Sequence, residues 1–293
     1  MLTQTEQDLS SARPNTVDFD GISDLHYLGN YVRRLPVNMA RMMENAYDWE
    51  HLPYVHASSF ASIDLIASGP WGWRAKIGLP KASGGAFQLL DLLVAREQNY
   101  WVSTVYAGPG AGVQIHTQAR EVSREEIEVD VRFYLPEAPA DESVSAAALR
   151  YLTDQYATLY DEDTGLMSGR QEALDHKAQE SSSADTGDKV FVGALPDLNP
   201  DAAHVVDTAA GRISVRHWQG QWIAHAATCP HLLGPLADGP VSDDGVITCP
   251  WHGYRFDIQS GANLDGKCRA LMPAPDLIET EDGLYLRIES GLS

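Results

Sequence analysis

Two short segments carry thiol and imidazole side chains at matched spacing: Cys229-Pro-His231 and, seventeen residues later, Cys249-Pro-Trp-His252. Each reads as a tight loop between strands. Thiolates and imidazoles together favour soft or borderline metals. In an iron–sulfur cluster, exchanging two thiolates for neutral imidazoles on one iron removes negative charge and raises the reduction potential by hundreds of millivolts. A centre of that kind needs one Cys and one His from each loop. Zinc is the alternative occupant of a Cys2His2 set, but its ligand pairs are usually spaced by two to four residues, and Cys-x-His is cramped for a single ion. Cys268 lies outside the pattern and reads as a small buried hydrophobe. His217 and His225 read as strand-face residues.

A second constellation lies far upstream, in Glu44-Asn-Ala-Tyr-Asp48-Trp-Glu-His51-Leu-Pro-Tyr-Val-His56. Asp48 and His51 are three apart and share one helical face. His51 and His56 are five apart, roughly 140° round a regular helix, so they meet only if the helix breaks between them. Pro53 is the expected break. Two histidines and one carboxylate form a facial triad that leaves positions on ferrous iron open for oxygen and substrate. By spacing alone, such a helix-end pair is more often structural than catalytic.

The segment CPHLLGPLADGPVSDDGVITCPWHGYRFDIQSGANL resembles a Rieske iron–sulfur domain. Gly234-Pro235 and Gly253 are more like the ferredoxin-type Rieske proteins than the Rieske domains of large oxygenase subunits. The resemblance runs from about Lys189 to Ile288. It implies a [2Fe-2S] cluster, with Cys229 and Cys249 on one iron and His231 and His252 on the other. Asp-x-x-His-x-x-x-x-His in turn resembles the motif of Rieske non-heme iron oxygenases, the aromatic-ring-hydroxylating type. Their catalytic domain is a helix-grip fold. That resemblance implies mononuclear Fe(II) on His51 and His56, and Asp48 bridging an iron-bound histidine to a Rieske histidine, usually across a subunit boundary. The third ligand is then a carboxylate of Asp161, Glu162 or Asp163. The family's Glu-Asp followed by Gln is similar to Glu162-Asp163…Gln171, which favours Asp163, with Asp161 second. An acidic cluster also reads as a solvated helix face.

The chain departs from that family in order. Members normally place the Rieske domain first; here it comes second, which leaves the head-to-tail trimer open. Only 107 positions separate His56 from Asp163, so the catalytic part is compact. The resemblance implies an oxygenase that hydroxylates or oxidatively demethylates an apolar or aromatic small molecule, with O2 as co-substrate and an NAD(P)H-dependent reductase, directly or through a ferredoxin, as electron source. The alternative is a ligand-binding or electron-carrier protein without catalytic iron.

These groups need elements to hold them. Pro36 to Glu50 has helical spacing, with Pro36 in the first turn and Met39, Met42, Met43 and Ala46 on one face. Strand-like runs follow at Phe60–Ala67, Trp71–Leu79, Ala86–Ala95, Tyr100–Ala107, Val113–Gln118 and Glu126–Leu135. A long helical pattern runs from about Glu142 to Lys177, weakened at Gly165 and Gly169. The order is α+β: a helix-grip (START/SRPBCC-like) antiparallel sheet closed by a long helix. Trp71, Trp73, Phe87, Tyr100 and Trp101 are candidates for the cavity wall, and each also reads as plain core. Glu180 to Asp188 is polar and aperiodic, a linker between a catalytic domain at 1–180 and an all-β Rieske domain at 189–293. Strands are expected there at Arg212–His217, Gln221–Ala226, Gly245–Thr248 and Gly283–Ile288.

Composition limits the partners. The 293 residues are 44% hydrophobic and 21% charged, an ordinary globular balance, and the net charge is −20. That field opposes nucleic acid and anionic membranes. No apolar run approaches the roughly 18 residues of a membrane span, the N-terminal segment has no signal-peptide pattern, and three cysteines make no disulfide framework. The expectation is a cytoplasmic protein.

Overall fold

A computed structural model describes residues 2–180, 189–208 and 211–287. Two compact units divide the chain, Met1–Ser168 and Gly169–Ser293. The division falls inside the long helix, upstream of the linker read at Glu180–Asp188; residues 181–188 of that linker lie outside the described ones.

The first unit is the expected antiparallel sheet. A short helix α1 (Gln4–Ser11) precedes β1 (His26–Leu35), α2 (Met39–Tyr47) and a single turn α3 (Leu52–Val55). Six more strands follow, β2 (Ser62–Gly69), β3 (Gly72–Gly78), β4 (Phe87–Ala95), β5 (Tyr100–Ala107), β6 (Gln114–Ser123) and β7 (Glu126–Leu135), and then α4 (Glu142–Glu180). The sheet order is β1-β7-β6-β5-β4-β3-β2, so β2 to β7 form a meander and β1 joins its far edge. Helices between β1 and β2, and a long helix after β7, make the helix-grip arrangement.

Strand β1 is absent from the sequence-based reading. Arg33 and Arg34 sit in its body, Gly29 marks a register shift, and its residue types do not alternate in hydropathy although their burial does from Gly29 to Arg34. β7 alternates as expected: Ile127, Val129, Val131 and Phe133 are fully buried on one face, and Phe133 meets Tyr156 of α4 edge-on at 5.6 Å. The opposite face is covered at β3 and β4 by α1 and the segment after it. There Arg13 Nε donates to the fully buried Asp91 at 2.5 Å, Arg74 donates to the carbonyls of Ser10 and Pro14, and Lys76 pairs with Glu6.

Three local expectations are corrected. α2 begins at Met39, capped by Asn38 Oδ1 on the Arg41 N–H, so Pro36 lies before the helix instead of in its first turn. The helix stops at Tyr47, where Asp48 turns extended (ψ 93), so Pro53 is not its breaker. Pro53 instead lies in the first turn of α3, a position where its missing N–H costs nothing. α4 runs unbroken through Gly165 and Gly169.

The second unit is all-β apart from the end of α4. It holds β8 (Lys189–Gly193), β9 (His204–Thr208), β10 (Gly211–Trp218), β11 (Gln221–Ala226), β12 (Val246–Thr248), β13 (Arg255–Asp257), β14 (Asp276–Thr280) and β15 (Gly283–Arg287). These form two three-stranded sheets, ordered β11-β10-β9 and β14-β15-β8, and a β12–β13 hairpin. Ile213, Val215, Leu284 and Leu286 are buried at the core of the two larger sheets. The last strand was expected to reach Ile288, which lies outside the described residues. Among the described residues no helix is long and apolar enough to cross a membrane.

Candidate metal centres

In the second unit, two loops face each other. One leaves β11 and is pinched by a bridge between Thr228 and Pro235 and by Cys229 N–H to Gly234 O; it carries Cys229 and His231. The other joins β12 to β13, is closed by Cys249 N–H to Tyr254 O at 2.9 Å, and carries Cys249 and His252. Both sulfurs are buried, each at 1% exposure for its residue. The His231 and His252 rings stand 4.5 Å apart at 84°.

The loops are shaped for thiolate sulfur. The His231 amide donates to the Cys229 sulfur, and the amides of Trp251 and His252 donate to that of Cys249. The hydrogen bond between the two thiols, followed by burial, pushes Cys229 up. The same bond, against the opposing effect of burial and helped by His252 and the amides, draws Cys249 down to about 5. Gly234 passes so close that a β-carbon there would stand 2.8 Å from Cys249 Sγ. Tyr254 lies flat on His231 at 4.5 Å with Lys267 over its other side, a stack that spacing did not reveal. The four donors and the amides turned toward sulfur fit a two-iron cluster with mixed ligation. Cys268 is half-buried, not the buried hydrophobe expected, because its thiol points back to the Arg269 carbonyl at 3.4 Å. His225 is buried in β11 against Ala226 O, and His217 packs on Trp222; both are strand residues.

In the first unit, His51 and His56 bracket the single turn α3, one at its N-cap and one at its C-cap. That reversal brings their Nε2 atoms to 3.2 Å. Asp163, reaching in from α4, places Oδ1 3.0 Å from His56 Nε2 and 3.4 Å from His51 Nε2. All three residues are buried. An ion with bonds of about 2.1 Å at right angles holds neighbouring donors about 3.0 Å apart, close to this triangle. The electrostatics favour a cation at its centre. Burial resists charge on His51, but Asp163 and Asp48 outweigh it and raise its pKa to about 9. Burial likewise opposes charge on Asp163, yet the two histidines hold it well below the usual carboxylate range. The donor set fits ferrous iron.

The neighbours of Asp163 divide by helix geometry. Glu162 accepts from His56 Nδ1 at 2.7 Å, which turns Nε2 toward the centre. Asp161 points away, is 67% exposed and pairs with Arg33. Asp48 approaches His51 Nδ1 at 3.4 Å while accepting from the Glu50 N–H. The triad opens on a cavity of about 110 Å3, walled by Met42, Leu52, Phe60, Trp73, Leu90, Leu92, Trp101 and Leu159, with Asn45, Ser103, Tyr156 and Tyr160 among them. Trp73 and Trp101 line it as expected. Trp71, Phe87 and Tyr100 do not: Trp71 stacks under Arg74, Phe87 is 53% exposed under Lys76, and Tyr100 hydrogen-bonds His116. They belong to the other face of the sheet or its margin. The sequence offered Glu162 among the carboxylates but not its contact with His56 Nδ1.

Comparison with known proteins agrees with the cluster geometry. Residues 188–279 match the family model of the Rieske [2Fe-2S] domain. Pheophorbide a oxygenase, chloroplastic, of Oryza sativa subsp. japonica is 42% identical over 38 residues, 13% of this chain and 7% of that protein. The ferredoxin component of the alkene monooxygenase system of Xanthobacter autotrophicus is 27% identical over 90 residues, 31% of this chain and 74% of that protein. Zhui aromatase/cyclase from Streptomyces sp. R1128 overlaps 50% of this chain and 95% of its own at 9% identity and a TM-score of 0.41. The chain thus spans less than a tenth of the oxygenase and about three quarters of the ferredoxin. Residues 188–279 carry a Rieske [2Fe-2S] domain.

Proposed function

We propose that the chain is a Rieske-type oxygenase, in which the [2Fe-2S] cluster of the second unit supplies electrons to a mononuclear ferrous iron on His51, His56 and Asp163 of the first. The observation that carries this reading is the convergence of His51 Nε2, His56 Nε2 and Asp163 Oδ1, 3.0–3.4 Å apart, in the wall of a largely apolar cavity. Ferrous iron bound there would supply oxygen activation, for hydroxylation or oxidative demethylation of a small, mostly apolar or aromatic molecule. The three side chains would hold the ion at the wall of the cavity. Glu162 fixes the His56 ring. Asp48 steadies His51 and, by family resemblance, is the candidate for passing electrons to the iron from a Rieske histidine. Met42, Trp73, Leu90 and Trp101 exclude water from the bound substrate. An NAD(P)H-dependent reductase, directly or through a ferredoxin, is the electron source in this reading, and a homo-oligomer, a trimer by family resemblance, is the assembly it implies.

The relative spanned over most of its length is a ferredoxin component, which favours a second reading: an electron carrier fused to a ligand-binding domain without catalytic iron. Metal analysis separates the two. The oxygenase requires three irons and two acid-labile sulfides per chain, the carrier two and two. His51→Ala and Asp163→Ala should each lose the third iron and substrate-dependent oxygen uptake while keeping the visible absorption of the cluster. Unchanged uptake in both variants refutes the catalytic assignment.

A further inference from the structure

In the second unit, a groove of about 420 Å3 opens beside one of the two cluster loops. The last turns of α4 contribute Ala173, His176 and Lys177 to it, and the loop that carries Cys229 and His231 contributes Thr228, Pro230 and Leu233. Neighbouring Cα atoms stand only 3.8 Å apart, so Thr228 and Pro230 set this wall against the cluster ligand between them. The charge of the groove runs against that of the chain. The sequence holds 41 acidic and 21 basic side chains, yet His176, Lys177, Arg212 and Arg269 line the groove and no carboxylate does. Asp207 meets two of the four, 3.1 Å from His176 Nε2 and 3.3 Å from Arg212 Nε. Lys177 and Arg269 are exposed and have no ion-pair partner among the described residues. The rest of the lining is largely apolar, with Ala226, Leu233, Leu271, Met272 and Pro273. Leu233 is held at φ 59°, in the left-handed region that glycine occupies without strain and leucine does not. It is only half-buried, so core packing does not offset that strain. Strain of this kind collects at ligand clamps.

We propose that this groove binds an amphipathic organic anion, a carboxylate on an apolar body, and that the bound anion lowers the reduction potential of the neighbouring cluster. Small-molecule sites have volumes from about 300 Å3 upward and combine a mostly apolar lining with a few polar groups that fix orientation. Lys177 and Arg269 supply those groups here, and Leu233, Leu271 and Met272 the apolar surface. An engineered void of about 150 Å3 takes up benzene, so a groove of about 420 Å3 admits a body of about two rings. Reduction of the cluster adds one electron and hence one negative charge, which repels an anion seated beside its loop. The oxidised form therefore binds the anion more tightly, and by linkage the anion favours the oxidised form. The inference rests on the Rieske domain alone and is independent of the mononuclear iron of the first unit.

2-Naphthoate and 2-naphthamide share a shape and differ in charge, and acetate carries the charge without the apolar body. Their dissociation constants are measured by calorimetry on the full chain with its cluster, in wild type, Lys177→Ala and Arg269→Ala. Visible absorption of the cluster checks that each variant is intact. Wild type should bind naphthoate at least about tenfold more tightly than naphthamide or acetate. Each alanine variant should lose about threefold to tenfold, and Arg269→Lys, which keeps the charge, should lose less than Arg269→Ala. His51→Ala should bind naphthoate as wild type does. Saturating naphthoate should lower the midpoint potential of the cluster, a threefold preference for the oxidised form being about 28 mV. That shift should vanish when Lys177 and Arg269 are both replaced by alanine. Failure of naphthoate to bind, equal affinity for naphthamide or acetate, or unchanged affinity in both alanine variants overturns the site. Binding that is lost in His51→Ala belongs to the first unit and overturns it as well. A midpoint potential unmoved at saturation overturns the coupling to the cluster.

Discussion

Replacing Glu162 with alanine removes none of the three side chains proposed to hold iron, yet it should weaken metal binding there about tenfold. Glu162 Oε2 accepts from His56 Nδ1 at 2.7 Å, and the Glu162 side chain is 31% exposed. A hydrogen bond to a charged partner contributes about 1.5–3 kcal/mol when well shielded, and partial exposure puts this one near the lower limit. About 1.4 kcal/mol is a factor of ten in affinity, the lower end of the loss usual when a partner behind a metal ligand is removed. The loss has two sources: the ring is no longer held with Nε2 toward the centre, and its basicity falls. Glu162→Gln keeps an acceptor and loses the charge, so its effect should lie between wild type and E162A. The assay is competition for Fe(II) or Co(II) against a chelator of known affinity, with the cluster's visible absorption as a control for folding. Asp161→Ala is the matched control, since that carboxylate faces solvent and Arg33. It should leave metal affinity unchanged, whereas Asp163→Ala should abolish binding. An E162A affinity within twofold of wild type, or a loss in D161A as large as in E162A, refutes this account of the site.

Three further outcomes follow from other parts of the molecule. Asp91→Asn removes the buried carboxylate between Arg13 and Arg74 and leaves a nearly buried guanidinium uncompensated, so unfolding in urea should show a loss of about 3–5 kcal/mol. A loss below about 1 kcal/mol would show that the N-terminal segment is not held by this pair. His116 is buried between Tyr100 and Gln114, and burial, then Arg132, lower its pKa to about 4. Because the folded state resists protonation, its contribution is complete above about pH 6.5 and is lost as pH falls toward 4, a change of up to about 3 kcal/mol. His116→Gln should therefore flatten the dependence of unfolding free energy on pH across that window, and an unchanged slope counts against it. Gly234→Ala should prevent cluster assembly, because its β-carbon would stand 2.8 Å from Cys249 Sγ. Normal iron and sulfide content in that variant would show that the loop yields.

Much of the second unit was legible because its candidate cluster ligands lie close together in the chain. Each Cys–His pair spans three or four residues of one turn, and the glycines that permit the turn are adjacent. Asp48, His51 and His56 were legible for the same reason. The mechanism of their meeting was not: Pro53 was read as a breaker, whereas the chain leaves helix at Asp48 and Pro53 starts a new turn. β1 escaped notice because an edge strand with two arginines shows little alternation in hydropathy.

By itself, the sequence determined the two Cys–His loops, the order of helix, meander and long helix, and the histidine pair, all encoded within short stretches of chain. Only the tertiary structure decided which of three consecutive carboxylates faces the histidines. Successive residues on a helix point about 100° apart, so the packing of α4 on the sheet turns Asp163 inward, sets Glu162 behind His56 and leaves Asp161 to solvent.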